Sequence, residues 1–225
     1  EGVHTWIGTI SVKQNDGTIK TYTTQPQTYT VARPSAVVSP DKMNVLYIGV
    51  PNPVSVSAPG IAKRDLRVSM TGGTITPSGN GYIATVNAVG NATVNVSGEI
   101  SKGKVVVLGA TTFRVKRIPD PKAEFAAKSG GTTSAANIKA QDAVFAHLDN
   151  FEFDAKFNVT RFTLLVIKPR QDPLSFTGSG NQLTSAMHSA LNSISPGSTV
   201  VFKDIVAVGP DGTQRGLDNI VLFAN

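Results

Sequence analysis

Cysteine is absent from the 225 residues, which rules out a disulfide framework and any thiolate metal site. A chain without cross-links must hold itself together by burial, and the absence does not separate cytoplasm from periplasm. Long apolar runs are missing as well. None approaches the ~20 residues of a membrane-spanning helix, and no signal-peptide pattern opens the chain. The sequence begins at Glu1 without a methionine, as expected of a processed or excised fragment. Aromatic residues are scarce, with a single Trp, so no aromatic platform of the kind that stacks single-stranded bases accompanies the basic residues.

What the chain does have is glycine, proline, valine and threonine. Its 21 Gly and 13 Pro favour short strands and turns over long helices, so the fold class is mostly β. The length suits two domains, each large enough to bury a core. The net charge of +6 is compatible with nucleic acid, an anionic membrane or an acidic protein partner. The basic residues are spread along the chain, with loose clusters at Lys63-Arg64-Asp65-Leu66-Arg67 and Arg114-Val115-Lys116-Arg117 that read as solvated strand faces.

The stretch Val37–Gly60 organises the chain. Met43 to Val50 is a mostly apolar run, as in a strand covered on both faces, whereas Val54 to Ala58 alternates with period two. Between them, Pro51-Asn52-Pro53 forbids a continuous central strand, because proline has no N–H to give to a ladder. The expected outcome is a strand that crosses from one sheet of a sandwich to the other.

Before this stretch, His4–Val12 and Thr18–Tyr22 flank Asn15-Asp16-Gly17, a hairpin signal, and Gln27–Val31 supplies a third strand. Three short strands barely make a core. Residues 1–33 are therefore expected to be the tail of an upstream domain that packs on the next module or a partner chain, closed by Arg33-Pro34. From Ser35 to Lys116 strand signals recur at sandwich spacing: Val37-Val38, Met43–Val50, Val54–Ala58, Leu66–Met70, Tyr82–Ala88, Ala92–Ser97, Val105–Leu108 and Thr111–Val115. This patterning is immunoglobulin-like without the cysteine pair, and it leaves the strand order open.

Ile118-Pro119-Asp120-Pro121 then reads as an extended, stiff connector. Beyond it, Ala143–Leu148, Phe151–Phe157 and Val159–Ile167 read as strands, with Phe151, Phe153 and Phe157 on one face and Glu152, Asp154 and Lys156 on the other. After a loop at Thr177–Gly180, the spacing predicts one helix, Gln182–Ser193, with Leu183, Ala186, Met187, Ala190, Leu191 and Ile194 as its apolar stripe. Thr199–Phe202, Ile205–Val208 and Asn219–Phe223 complete a sheet. The expected organisation is tandem immunoglobulin-like β-sandwich domains: upstream strands 1–33, a sandwich over 34–117, a proline linker over 118–121 and a helix-bearing sandwich over 122–225.

Catalytic signals are weak. Ser185 and His188 lie three apart on the helix, and Asp204 or Asp218 would complete a triad, but no nucleophile elbow surrounds the serine. His147 and Asp149 are two ligands without a third. Asp149, Glu152 and Asp154 lack calcium-loop spacing. No phosphate-binding glycine loop is present, and the Asn91, Asn95 and Asn158 sequons arise freely in such β modules. The expectation is no enzyme, no cofactor, no metal, no nucleic acid and no small-molecule substrate.

Three stretches carry a resemblance. Val38-Ser-Pro-Asp-Lys-Met-Asn-Val-Leu-Tyr-Ile-Gly-Val-Pro-Asn-Pro53 onward, Thr112-Phe-Arg-Val-Lys-Arg-Ile-Pro-Asp-Pro-Lys-Ala123 and Phe202-Lys-Asp-Ile-Val-Ala-Val-Gly-Pro-Asp-Gly-Thr-Gln-Arg-Gly-Leu217 resemble the periplasmic C-terminal region of the GldM/PorM family of gliding-motility and type IX secretion motor proteins. The likeness implies a periplasmic homodimeric shaft, anchored in the inner membrane through an N-terminal helix outside this chain. Such a shaft meets an inner-membrane motor partner at one end and periplasmic ring proteins at the other. The rival expectation is a cell-surface adhesion or carbohydrate-binding tandem, against which the single Trp argues. For partner binding, the candidate surface is Lys168, Arg170, Gln171 and Asp172, with Thr177, Ser179 and Asn181 from the following loop and Arg215 from the loop after Gly212, since polar loops on a rigid scaffold are where binding is commonly found. As exposed charges, Arg170 and Arg215 are expected to tolerate reversal without loss of stability.

Overall fold

The computed structural model describes residues 2–31, 37–40, 44–101 and 103–225. Arg33, Pro34, Ser35 and Met43, which entered the sequence expectations, lie outside them. The chain opens with a β-ribbon. β1 (Gly2–Trp6) pairs antiparallel with β4 (Gln27–Val31), and β2 (Thr9–Lys13) with β3 (Ile19–Thr23). The turn forms where the sequence predicts it. Gly17 adopts a φ of 86°, and Asp16 Oδ1 accepts from the amide and hydroxyl of Thr18 at 2.9 and 2.6 Å. The expected single strand His4–Val12 breaks at Gly8, whose N–H donates to the Thr24 hydroxyl rather than to a ladder carbonyl. Every residue of the four strands is exposed.

The next unit is a two-sheet sandwich. Its strands are β5 (Val37–Pro40), β6 (Val45–Tyr47), β7 (Asn52–Ser57), β8 (Leu66–Thr71), β9 (Thr74–Ser78), β10 (Gly81–Thr85), β11 (Gly90–Ser101) and β12 (Lys104–Lys116). One sheet has the order β5-β7-β10-β9 and the other β6-β12-β11-β8, so β6 and β7 belong to opposite sheets and the chain crosses between them at Pro51-Asn52-Pro53. The core comes from alternating positions of both sheets: Val54 and Val56 of β7, Ala92, Val94 and Val96 of β11, and Phe113 and Val115 of β12. Two expected strands, Val105–Leu108 and Thr111–Val115, are one strand whose register shifts between Val96 and Ser97 of its partner. The bulge turns the side chains without ending the strand.

The apolar run Met43–Val50 does not make one strand. β6 stops at Tyr47, and Ile48-Gly49 turns, with Gly49 at a φ of 85°. Asn52 explains the turn. Its side chain, 1% exposed, accepts the Tyr47 N–H at 2.7 Å through Oδ1, and its Nδ2 lies 2.9, 3.0 and 3.2 Å from the carbonyl oxygens of Tyr47, Val50 and Ala84. One amide thus holds the backbone that the prolines leave without ladder bonds, and ties it to β10.

The C-terminal unit contains β13 (Lys122–Glu124), β14 (Gly131–Thr133), α1 (Ala135–Lys139), β15 (Phe145–His147), β16 (Asn158–Ile167), β17 (Leu174–Ser179), α2 (Ser185–Asn192), β18 (Thr199–Val208), β19 (Gln214–Gly216) and β20 (Ile220–Ala224). Its main sheet runs β14-β20-β18-β16-β17, with β19 pairing the end of β18. The β13–β15 pair and α2 cover one face, over a core that includes Phe125, Phe162, Leu164, Met187, Phe202 and Leu222. The fold is mostly β, as the composition predicts, in tandem sandwich domains, as the strand spacing predicts.

Several elements depart from the expected ones. Two helices form, not one. α2 is shorter than Gln182–Ser193 because Leu183 donates to Asp142 O and Gln182 bridges to Ala143, leaving Thr184 as the N-cap. Phe151–Phe157 alternates inward and outward as predicted but is an irregular segment with a bend at Phe153, bridged at Phe157. Thr199–Phe202 and Ile205–Val208 are one strand, interrupted at Asp204, which takes a φ of 52° in a bulge.

Asn52→Ala is expected to destabilise the protein by about 2–4 kcal/mol, because several backbone groups are left buried without partners. Urea unfolding of the whole chain measures it, and a loss below about 0.5 kcal/mol contradicts the role given to this amide.

Candidate interaction surface and interdomain joint

Strand direction decides where each candidate residue sits. β16 and β18 are antiparallel, with Asn158 opposite Val208 at one end and Ile167 opposite Thr199 at the other. The first end carries Gly209 to Arg215 and lies against the connector. The second carries the turn after Ile167, Ser193 to Ser198 and Asn225, whose N–H donates to Thr133 O. These ends are separated by the ten residues of β16, roughly 30 Å of strand.

Lys168, Arg170, Gln171 and Asp172 lie together at the second end. Gln171 N–H closes the turn on Lys168 O, Arg170 holds a φ of 60°, and Lys168 Nζ donates to Ser193 Oγ at 3.2 Å. Arg170, Gln171 and Asp172 are exposed. Thr177 and Ser179 are not in a loop. They belong to β17, opposite Thr163 and Arg161, and among the described residues β17 pairs only with β16, which leaves its outer edge open there. Asn181 lies past the far end of β17, where its carbonyl accepts the Val144 N–H. Strand β17 was missed because Leu174-Ser-Phe-Thr-Gly-Ser179 carries two apolar residues among small polar ones. Its alternation, with Phe176 and Gly178 inward, was the available signal.

Arg215 corrects the sequence expectation. It is not an exposed loop charge: its side chain is only 9% exposed. Its guanidinium nitrogen Nη1 donates to Ile118 O at 2.6 Å, Pro119 O at 3.1 Å and Asp120 Oδ1 at 2.8 Å, while Nη2 donates to Asp211 Oδ2 at 2.9 Å. The guanidinium carbon lies 5.0 Å from the centre of the Phe157 ring. A planar fork with five donors suits this task, since one group reaches two carbonyls and two carboxylates without a change of rotamer. Reversal to glutamate would set a carboxylate against two carbonyls and two acids.

The joint has a second half. Tyr47 packs edge-on against Phe151 and Phe153, with ring centres 4.9 and 5.1 Å apart, and Val50 is buried in the C-terminal core. The Ile48-Gly49 turn meets the other domain backbone to backbone. A Cβ on Gly49 would lie 2.5 Å from Asp211 N, so glycine is required there both by φ and by space. In the connector, Ile118 and Pro121 are buried and Pro119 and Asp120 exposed.

Elsewhere the chemistry is sparse. His188 Nε2 meets Asp142, at 3.7 Å, rather than Asp204 or Asp218. His147 lies 3.8 Å from Asp149, whose carboxylate holds Lys122 Nζ at 2.6 Å. Among the described residues no three His, Asp or Glu side chains converge on a point.

Opposing influences act on the Asp211 carboxyl. Burial pushes its carboxyl up, but the Thr213 hydroxyl and amide and the Arg215 guanidinium outweigh it and hold the group below its ordinary value of 3.8. A carboxyl with a depressed folded-state value stabilises the fold above its unfolded value and loses that contribution as pH falls through the folded one. The unfolding free energy is therefore expected to fall below about pH 4. Asp211→Asn should flatten that acid limb in urea titrations, and an unchanged limb contradicts the assignment.

Comparison with known proteins gives two adjoining family matches. Residues 35–116 match the model of the GldM third domain, and residues 119–224 that of the GldM C-terminal domain. No curated protein matches the sequence. Similar solved structures include fibronectin(III)-like modules of Clostridium thermocellum CbhA, at 15% identity and TM-score 0.27 over 84% of this chain and 94% of that one. A Bacteroides ovatus protein of a mixed-linkage glucan utilization locus, in complex with a heptasaccharide, matches at 16% and 0.28 over 85% of this chain and 47% of that one. A tetra-tandem repeat from the extending region of a large adhesion protein matches at 13% and 0.27, over 100% of this chain and 57% of that one.

Proposed function

Because the chain belongs to the GldM family of gliding-motility and type IX secretion motor proteins, we propose that it is a segment of the periplasmic shaft of that motor. It couples an inner-membrane, proton-driven complex to a ring at the outer membrane by protein contacts. The family is a structural and motor component, and its C-terminal domains are periplasmic. The single observation that carries the reading is the succession of third and C-terminal domain matches over residues 35–116 and 119–224.

The joint adds physical support. A shaft needs domains that do not swivel about their linkers, and here the connector is anchored at Ile118, Pro121 and Arg215. The shaft acts as a homodimer, since two chains side by side resist bending where one linker does not. The β-ribbon of residues 2–31 presents Val3, Ile10 and Ile19, each more than 60% exposed, and such apolar surface favours a partner chain.

Partner binding belongs to the end of the C-terminal domain farthest from the joint, through Lys168, Arg170, Gln171 and Asp172, and continues from there along the outer edge of β17, on which Thr177 lies about midway and Ser179 toward the joint. Asn181 and Arg215 lie at the opposite end and are not part of this surface. The partners are periplasmic ring proteins.

Lys168→Glu with Arg170→Glu is expected to leave stability within about 1 kcal/mol, because largely exposed charges contribute little. The pair should weaken capture of the ring proteins, most strongly at low salt, where exposed charges are least screened. Normal capture by this variant, with capture abolished by removal of residues 122–225, leaves the domain and removes the surface. Light scattering at micromolar concentration should give the mass of two chains, and a monomer there contradicts the paired shaft.

A further inference from the structure

We propose that Arg215 pins the connector so that the sandwich of β5–β12 and the C-terminal domain move as one rigid body, with no hinge at Ile118–Pro121. The proposal concerns the joint alone and stands or falls independently of the motor reading.

Three observations converge on it. The first is how Arg215 spends its donors: of the four acceptors it meets, three belong to three successive connector residues, Ile118, Pro119 and Asp120, and the fourth is Asp211, close to its own strand. A hinge works by letting a few loop residues change φ and ψ. Here two carbonyls and one side chain of the connector are held by a single buried guanidinium, and two of the four residues Ile118–Pro121 are prolines with φ already fixed.

The second is that the guanidinium is itself held. Asp211 takes its other nitrogen, and Thr213 fixes Asp211 through two hydrogen bonds of 3.1 and 2.8 Å. Phe157 supplies an aromatic face, and β19 places Arg215 in register with Ala207 of β18. The pin is thus rooted in the central sheet of the second domain.

The third is that the connector is not the sole link. Tyr47, Gly49 and Val50 reach across from the first domain, Tyr47 onto Phe151 and Phe153, Gly49 onto the backbone of Pro210-Asp211 and Val50 into the core. Gly49 and Arg215 meet at Asp211, Gly49 against its backbone from the first domain and Arg215 at its carboxylate from within the second. Rotation about the connector would have to break the backbone contact and the charged fork together. A one-point attachment permits swivelling about that point, whereas two attachments some residues apart remove the remaining rotation.

The absence of native cysteine makes the test direct. Ser69→Cys on β8 and Ser175→Cys on β17, both exposed, place one spin label on each domain of the full chain. Labelled chains are diluted with unlabelled ones so that the distance within a single chain is read by pulsed electron resonance. With Arg215 intact, a single narrow distance distribution is expected. Arg215→Ala and, independently, Gly49→Ala should replace it with a broad one while circular dichroism retains the β signal. Arg215→Lys keeps the charge but loses the fork and should also broaden it. If Arg215→Ala fails to fold, the lysine variant carries the test. A broad distribution with Arg215 intact overturns the proposal, as does a narrow one in the folded Arg215 variant.

Discussion

The side-chain amide of Asn52 is the constraint on which the remaining architecture depends. Two prolines around it strip the β6–β7 connection of ladder hydrogen bonds, and a buried backbone without partners costs about 1–3 kcal/mol per group. Asn52 meets that deficit with both ends of one amide, taking the Tyr47 N–H and facing three carbonyls. The consequence reaches beyond the sandwich. The turn held by Asn52 is the one that presents Tyr47, Gly49 and Val50 to the C-terminal domain. The same side chain therefore fixes how the chain changes sheets and what the first domain shows to the second.

Much of the fold was legible because burial in a half-wet sheet writes itself as alternation. Ala92, Val94, Val96, Phe113 and Val115 could be assigned inward from period two alone, and Phe151, Phe153 and Phe157 kept their shared face although no strand formed there. Bulges were illegible. The shift near Val96 and the left-handed Asp204 interrupt the period without interrupting the strand, so each strand read as two. The C-terminal half of Met43–Val50 was illegible for another reason. Its apolar residues serve two cores, and an apolar run does not say which core each residue enters.

The candidate surface divides along the same line. Arg170 and Arg215 look alike in sequence, each beside turn residues in a polar stretch. What separates them is long-range: Ile118, Pro119, Asp120 and Phe157 converge on Arg215 from up to 97 positions away, while Arg170 stands on a turn with solvent around it. A local pattern reports on neighbours in sequence, and the fate of a guanidinium is decided by neighbours in space. In the Lys168–Asp172 turn, Arg170, Gln171 and Asp172 are exposed and Lys168 is half-buried.

The connector has a further consequence for how this chain tolerates insertions and deletions. Ile118 and Pro121 are buried, with two exposed residues between them, so the linker is a spacer of set length with a peg at each end. One additional residue lengthens extended chain by about 3.3 Å and turns every following side chain to the opposite face. Either Ile118 or Pro121 would then be drawn out of its socket, and the Asp120 carboxylate would swing away from Arg215. Surface loops absorb such events readily, but this segment counts its residues: its composition has room to drift, whereas its length does not.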